Sequence, residues 1–122
     1  MRAPILALLL GVLAILLFAW SCASVRAAEC GTASWYGAAH HGKLMANGKP
    51  FDMHAMTAAS WAYPLGAKVR VTRGERSVVV TITDRGPAKR LKRVIDLSHG
   101  AARRLGMIQA GVGRVCVERL PH

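Results

Sequence analysis

The sequence predicts a mainly β domain whose short strands close into a barrel, with one short helix inserted late in the chain. Three observations carry this. Residues 77–83 are dense in β-branched side chains, and 69–72 alternate apolar with polar, the period of a half-buried strand. The connections are rich in glycine and break every longer period, above all across 37–50. Only one stretch, 98–106, shows helical spacing. Short strands joined in this way favour a closed barrel over a sandwich.

Length and charge narrow the possibilities further. A chain of 122 residues holds one compact core and little more, which excludes a large multi-site enzyme. A hydrophobic content of 52% and a mean hydropathy of +0.27 argue against disorder, although much of the apolar character lies in the first twenty residues. Lys and Arg number 17 against 6 Asp and Glu, a formal charge of +11, so an anionic partner is expected.

Taken in chain order, Met1 and Arg2 precede an uncharged apolar run from Ala3 to Trp20. This reads as the helical core of a secretory signal peptide over 1–27. The run is also of membrane-spanning length, for which roughly 17–25 residues suffice. Val25 and Ala27 place small residues where a leader is cut, which favours cleavage before Ala28 over anchoring. Lipidation at Cys22 is a further alternative, disfavoured by the bulky Trp20 and by the lack of the usual Leu ahead of it. Cleavage leaves a single domain, 28–122, with 15 basic and 6 acidic side chains and a charge of +9. The expected location is the periplasm or cell envelope, with no membrane contact unless Cys22 is lipidated, and the expected state is a monomer. Export also puts Cys30 and Cys116 in an oxidising compartment, where a disulfide between them is expected over two buried thiols.

The first strand is expected over 32–36. Next comes a hairpin, 69–72 with 77–83, turning at Gly74 and Glu75, then short strands over 93–97 and 114–118. Ser98 is placed to cap a helix through Ala101, Ala102 and Leu105 that stops at Gly106. The remainder reads as loop.

Of the six carboxylates, Glu29, Glu75 and Glu118 fall at a terminus, in a turn and near the chain end, leaving Asp52, Asp84 and Asp96. Asp84 follows a strand and opens Asp84-Arg85-Gly86-Pro87, where a side chain is presented at a rim. An Asp that begins a turn and bonds its own backbone is the simpler reading. A chemical role needs a second group, for which Asp52, beside Pro50 and Phe51, is the candidate. Asp96, between Ile95 and Leu97, is expected to make structural bonds at strand ends.

Many ordered blocks then match one family. Gly31-Thr32-Ala33-Ser34-Trp35-Tyr36-Gly37, His41-Gly42, Ala46-Asn47-Gly48, Phe51-Asp52-Met53, Thr57-Ala58-Ala59, Pro64-Leu65-Gly66, Asp84-Arg85-Gly86-Pro87, Ile95-Asp96-Leu97-Ser98 and Leu105-Gly106 resemble the rare lipoprotein A (RlpA) family over about 31–117. The resemblance implies a six-stranded double-psi β-barrel with one or two short helices. It implies a lytic transglycosylase that cuts naked peptidoglycan glycan strands lacking stem peptides and leaves 1,6-anhydromuramyl ends. In that reaction a carboxyl protonates the leaving oxygen, and the muramyl C6 hydroxyl attacks in place of water. By the family match Asp84 takes the acid/base role and Asp52 is the neighbouring carboxylate that holds substrate or stabilises charge. Trp35, Tyr36, His41 and Arg85 are expected at the substrate, and Trp61 and Tyr63 are further aromatics able to stack on sugars.

Two positions depart from the family. Lys49 stands where the family often carries Glu, and Ser60 where it usually carries His. Both are expected at the substrate, with Lys49 suited to a muramyl carboxylate. Their loss of an acid and an imidazole keeps open a non-catalytic glycan-binding barrel, in the manner of expansins, and a small secreted interaction protein is a third alternative. His40, His41 and His54 match no familiar zinc spacing, so no metal or other cofactor is expected. The basic run 89–93, with Arg103 and Arg104, would suit nucleic acid in a cytoplasmic protein; export argues for anionic envelope polymers instead.

Overall fold

A computed structural model describes residues 28–121. The expected leader, its cleavage site and Cys22 lie outside the described residues. Six strands, β1 (Glu29–Tyr36), β2 (Thr57–Ala59), β3 (Lys68–Arg73), β4 (Arg76–Asp84), β5 (Ile95–Ser98) and β6 (Val112–Arg119), close into a barrel in the order β1-β5-β2-β4-β3-β6. β1 with β5 and β2 with β4 are parallel; the other four pairings are antiparallel. The expected closed barrel is therefore present.

Period-2 alternation builds its interior. Val69 and Val71 of β3, Val80 and Ile82 of β4, Ile95 and Leu97 of β5, and Val115 and Val117 of β6 point inward and are buried. The hairpin turns at Gly74, whose φ of 58° a residue without Cβ adopts freely. Helix α1 (His99–Arg104) lays Ala101 and Ala102 on the core and delivers Leu105 and Met107 behind them. Ser98 caps it as expected: its Oγ accepts the Ala101 N–H at 3.2 Å and donates to the Ala55 carbonyl at 2.6 Å.

The strand β2 was not expected. Three residues are too few to display a period, and Thr57-Ala58-Ala59 reads as loop. It is a strand because both flanks are occupied, by β4 on one side and β5 on the other, with Ala58 fully buried between them. The expected disulfide is formed. Cys30 of β1 lies directly opposite Cys116 of β6, with Cα atoms 4.0 Å apart.

Candidate active site

One irregularity in the sheet assembles the site. Along β2 and β4 the register runs Thr57 to Thr81 and Ala58 to Ile82, then skips Thr83 so that Ala59 faces Asp84. The skipped residue is a β-bulge, a device that re-aims the side chain following it. Ala59 also faces Asp96 of β5, which in turn faces Ser34 of β1. Ser34, Asp96, Ala59 and Asp84 thus form one row across four strands. Two strand spacings of about 4.8 Å put the Asp84 and Asp96 backbones roughly 10 Å apart, on either side of Ala59.

Asp84 is half-buried at the rim. Its Oδ1 accepts the Ala46 and Arg85 N–H groups, each at 2.9 Å. The second is a contact with its own next amide; the first ties the 37–52 loop to the barrel. Among the described residues Oδ2 has no partner, so it is left for a ligand hydroxyl. Asp96 accepts the Ser34 hydroxyl at 3.0 Å. Burial pushes its carboxyl above the ordinary Asp range, the Asp84 charge adds to this, and Ser34, Arg93 and His40 oppose it without cancelling it. Tyr36 belongs to the same group. Burial, reinforced by the charges of Asp84 and Asp96, pushes its phenol far above the ordinary value. Its ring stacks on Phe51 at 4.3 Å, which seals the base of the loop.

Asp52 stands elsewhere on this rim. Its carboxylate is exposed and folded back on its own chain, accepting the His54 N–H at 2.9 Å. With Lys49, Asn47, Thr81 and Thr83 it lines an open pocket of about 580 Å³ that contains neither Asp84 nor Asp96. The 45–49 turn touches both neighbourhoods: Ala46 is bonded to Asp84, while Met45, Asn47 and Lys49 border the pocket of Asp52. The charge of Asp84 also reaches Asp96, whose carboxyl it helps to raise. The sequence assigns Asp96 structural bonds, of which its bond to Ser34 is one; nothing local in it shows that the two acids share a row.

The other expected residues divide by what they touch. His41 is exposed, and its Nδ1 accepts the Met53 N–H at 3.1 Å, which steadies the segment carrying Asp52. Lys49 is exposed within the pocket of Asp52. Trp35 packs on the core and meets His99 edge-on at 5.2 Å. Ser60 is a correction. It is fully buried, with its Oγ accepting the Ala62 N–H at 3.0 Å, so it shapes a turn and cannot reach a substrate. Arg85 is a strut, donating to the carbonyls of Ser60 at 2.8 Å and Tyr63 at 2.6 Å. Among the described residues no three His, Cys, Asp or Glu side chains converge as a metal site would require.

Residues 28–117 match the family described as lytic transglycolase. This chain belongs to that family. It is 48% identical over 98 residues to a probable endolytic peptidoglycan transglycosylase RlpA of Synechocystis, covering 79% of this chain and 30% of that protein. It is 50% identical over 90 residues to the endolytic peptidoglycan transglycosylase RlpA of Pseudomonas aeruginosa, covering 72% and 26%. To the Vibrio cholerae protein of the same description it is 46% identical over 92 residues, covering 74% and 35%. The chain thus spans about a quarter to a third of the length of these relatives. Among solved structures, a Streptomyces papain inhibitor aligns with a TM-score of 0.64 at 23% identity, covering 80% of this chain and 98% of that one. The expansin of Clavibacter michiganensis aligns with a TM-score of 0.62 at 23% identity, covering 78% and 51%. At that identity these neighbours bear on the fold alone, and with the family match they make the barrel the double-psi β-barrel expected from the sequence.

Proposed function

We propose that this lytic transglycolase-family domain is an endolytic peptidoglycan lytic transglycosylase that acts on naked glycan strands in the periplasm or cell envelope. The observation that carries the reading is the Asp84 carboxyl. It sits at an open rim, one oxygen is fixed by two backbone N–H donors, and the other is unpartnered. A group held this way needs little reorganisation to meet a glycosidic oxygen. Asp84 protonates that oxygen as the bond to the muramyl C1 breaks. It then accepts the proton of the C6 hydroxyl as that oxygen closes on C1, which gives the 1,6-anhydro ring and returns Asp84 to its starting state. Asp96 stands by in the same row as a carboxyl that burial inclines to hold its proton. The names carried by the RlpA relatives support peptidoglycan as the substrate, and the basic surface suits a strand bearing muramyl carboxylates.

A second reading, a barrel that binds glycan without cutting it, draws on Lys49, an exposed ammonium in the pocket that also holds Asp52. The two readings separate on one preparation. Incubation with sacculi stripped of stem peptides yields 1,6-anhydromuramyl ends by mass spectrometry if the domain cuts. Saturable binding without such ends would retire the enzyme in favour of the binding module.

A further inference from the structure

The aromatic residue most open to solvent on this face is Trp61, and its surroundings fix it as a ligand platform would be fixed. Its indole is 52% exposed, which makes it the one aromatic among the exposed large apolar side chains of the described residues. An exposed indole normally turns freely; this one does not. Its Nε1–H donates to the Pro87 carbonyl at 2.6 Å, and the Arg85 guanidinium clasps the carbonyls on either side of it, those of Ser60 and Tyr63. The same turn is bonded to the strand end that carries Asp84, because the Ser60 N–H donates to the Asp84 carbonyl at 3.1 Å. The ring is therefore fixed, on a turn bonded to the strand end that carries the acid.

Lys89 supplies the second half. Its ammonium lies 4.8 Å from the centre of the Trp61 ring and has no carboxylate partner, since the ion pair among the described residues is Arg70 with Glu118. A cation resting on an exposed ring is weakly held, and an incoming ligand displaces it easily. A fixed flat apolar face, with an unpaired cation over it that a ligand can displace, matches one kind of ligand: a pyranose ring whose C–H face takes the place of the ammonium on the indole and whose carboxylate pairs with the displaced Lys89. We infer that Trp61 and Lys89 form a subsite for an acidic sugar residue flanking the bond presented to Asp84. This rests on the glycan reading above and adds to it where along the groove a muramyl unit is recognised.

The test is equilibrium binding of two stem-peptide-free probes, a muramyl-containing glycan tetrasaccharide and the uncharged N-acetylchitotetraose. Asp84→Asn is carried in every variant so that the glycan stays whole, and thermal melts confirm that each is folded. Trp61→Ala is expected to weaken both probes about five- to tenfold. Trp61→Phe, which keeps a ring but loses the bond to Pro87 that fixes it, is expected to fall between its parent and Trp61→Ala. Lys89→Ala is expected to weaken the muramyl glycan alone, by about two- to fivefold. The subsite is overturned if Trp61→Ala binds like its parent, or if Trp61→Phe fails as badly as Trp61→Ala, which would make the indole a loop clamp. Equal behaviour of Lys89→Ala toward both probes would overturn it too. If the parent binds neither probe, the glycan reading and the subsite fall together; if the parent binds and only the variants misbehave, the subsite alone falls.

Discussion

Breaking the Cys30–Cys116 bridge should lower stability steeply while leaving the chemistry intact. The bridge joins residues 86 apart in sequence, and for a closed loop of that size the chain-entropy relation gives about 4.6 kcal/mol as a ceiling. Native bridges in small domains deliver 2–4 kcal/mol, and for a domain of this size each kcal/mol moves the midpoint by roughly 4–8 °C. A drop in Tm of roughly 10–25 °C is therefore expected. The assay is thermal unfolding followed by circular dichroism, on the parent with and without reductant and on the Cys30→Ser, Cys116→Ser double variant. The bridge ties the start of β1 to β6, whereas Ser34 and Tyr36 lie toward the other end of that strand, where β5 holds them. Product formation below the lowered transition should accordingly match the parent. A Tm shift of less than about 2 °C would refute the reasoning, because β1 would then be secured by its ladders alone.

Two other perturbations probe the acids and the pocket. Because burial raises the Asp96 carboxyl in the folded state, the folded chain binds that proton more readily than the unfolded chain does. The contribution of Asp96 to stability falls as pH rises from the ordinary Asp value near 3.9 through the raised folded value. Asp96→Asn, which keeps an acceptor for Ser34, should melt higher than the parent at neutral pH and lose that advantage below about pH 4; a difference independent of pH, or of opposite sign, would contradict the burial argument. Lys49→Glu should weaken binding of muramyl glycan by about two- to fivefold while leaving uncharged glycan unaffected in the same titration; undiminished muramyl binding would remove Lys49 from the substrate.

The hairpin β3–β4, the strands β5 and β6 and the Ser98 cap were legible because each is set by neighbours in sequence: an alternating period, a glycine turn, a hydroxyl three residues ahead of an amide. What was not legible depends on contacts from afar. The strand β2 exists only because β4 and β5 flank it, and it is the bulge within that pairing that brings Asp84 opposite Ala59 and into the row of Asp96. The family pattern names Asp52 beside Asp84; the fold puts Asp52 in a pocket bordered by the 45–49 turn, whose Ala46 is bonded to Asp84. Ser60 was expected at the substrate for the same reason, yet it is sealed beneath the turn that carries Trp61. Pattern position shows that a residue matters, and burial decides how.

The central claim, that Asp84 is the acid/base of this barrel, is tested most directly by the rate at which 1,6-anhydromuramyl ends appear on naked glycan with Asp84→Asn against its parent and against Asp52→Asn. Loss of a positioned acid/base costs about 10²–10⁴-fold. The account predicts a fall of that size for Asp84→Asn at unchanged Tm, and a smaller fall for Asp52→Asn, whose carboxylate lies in the neighbouring pocket. Parental rates from Asp84→Asn, with Asp52→Asn inactive, would contradict it.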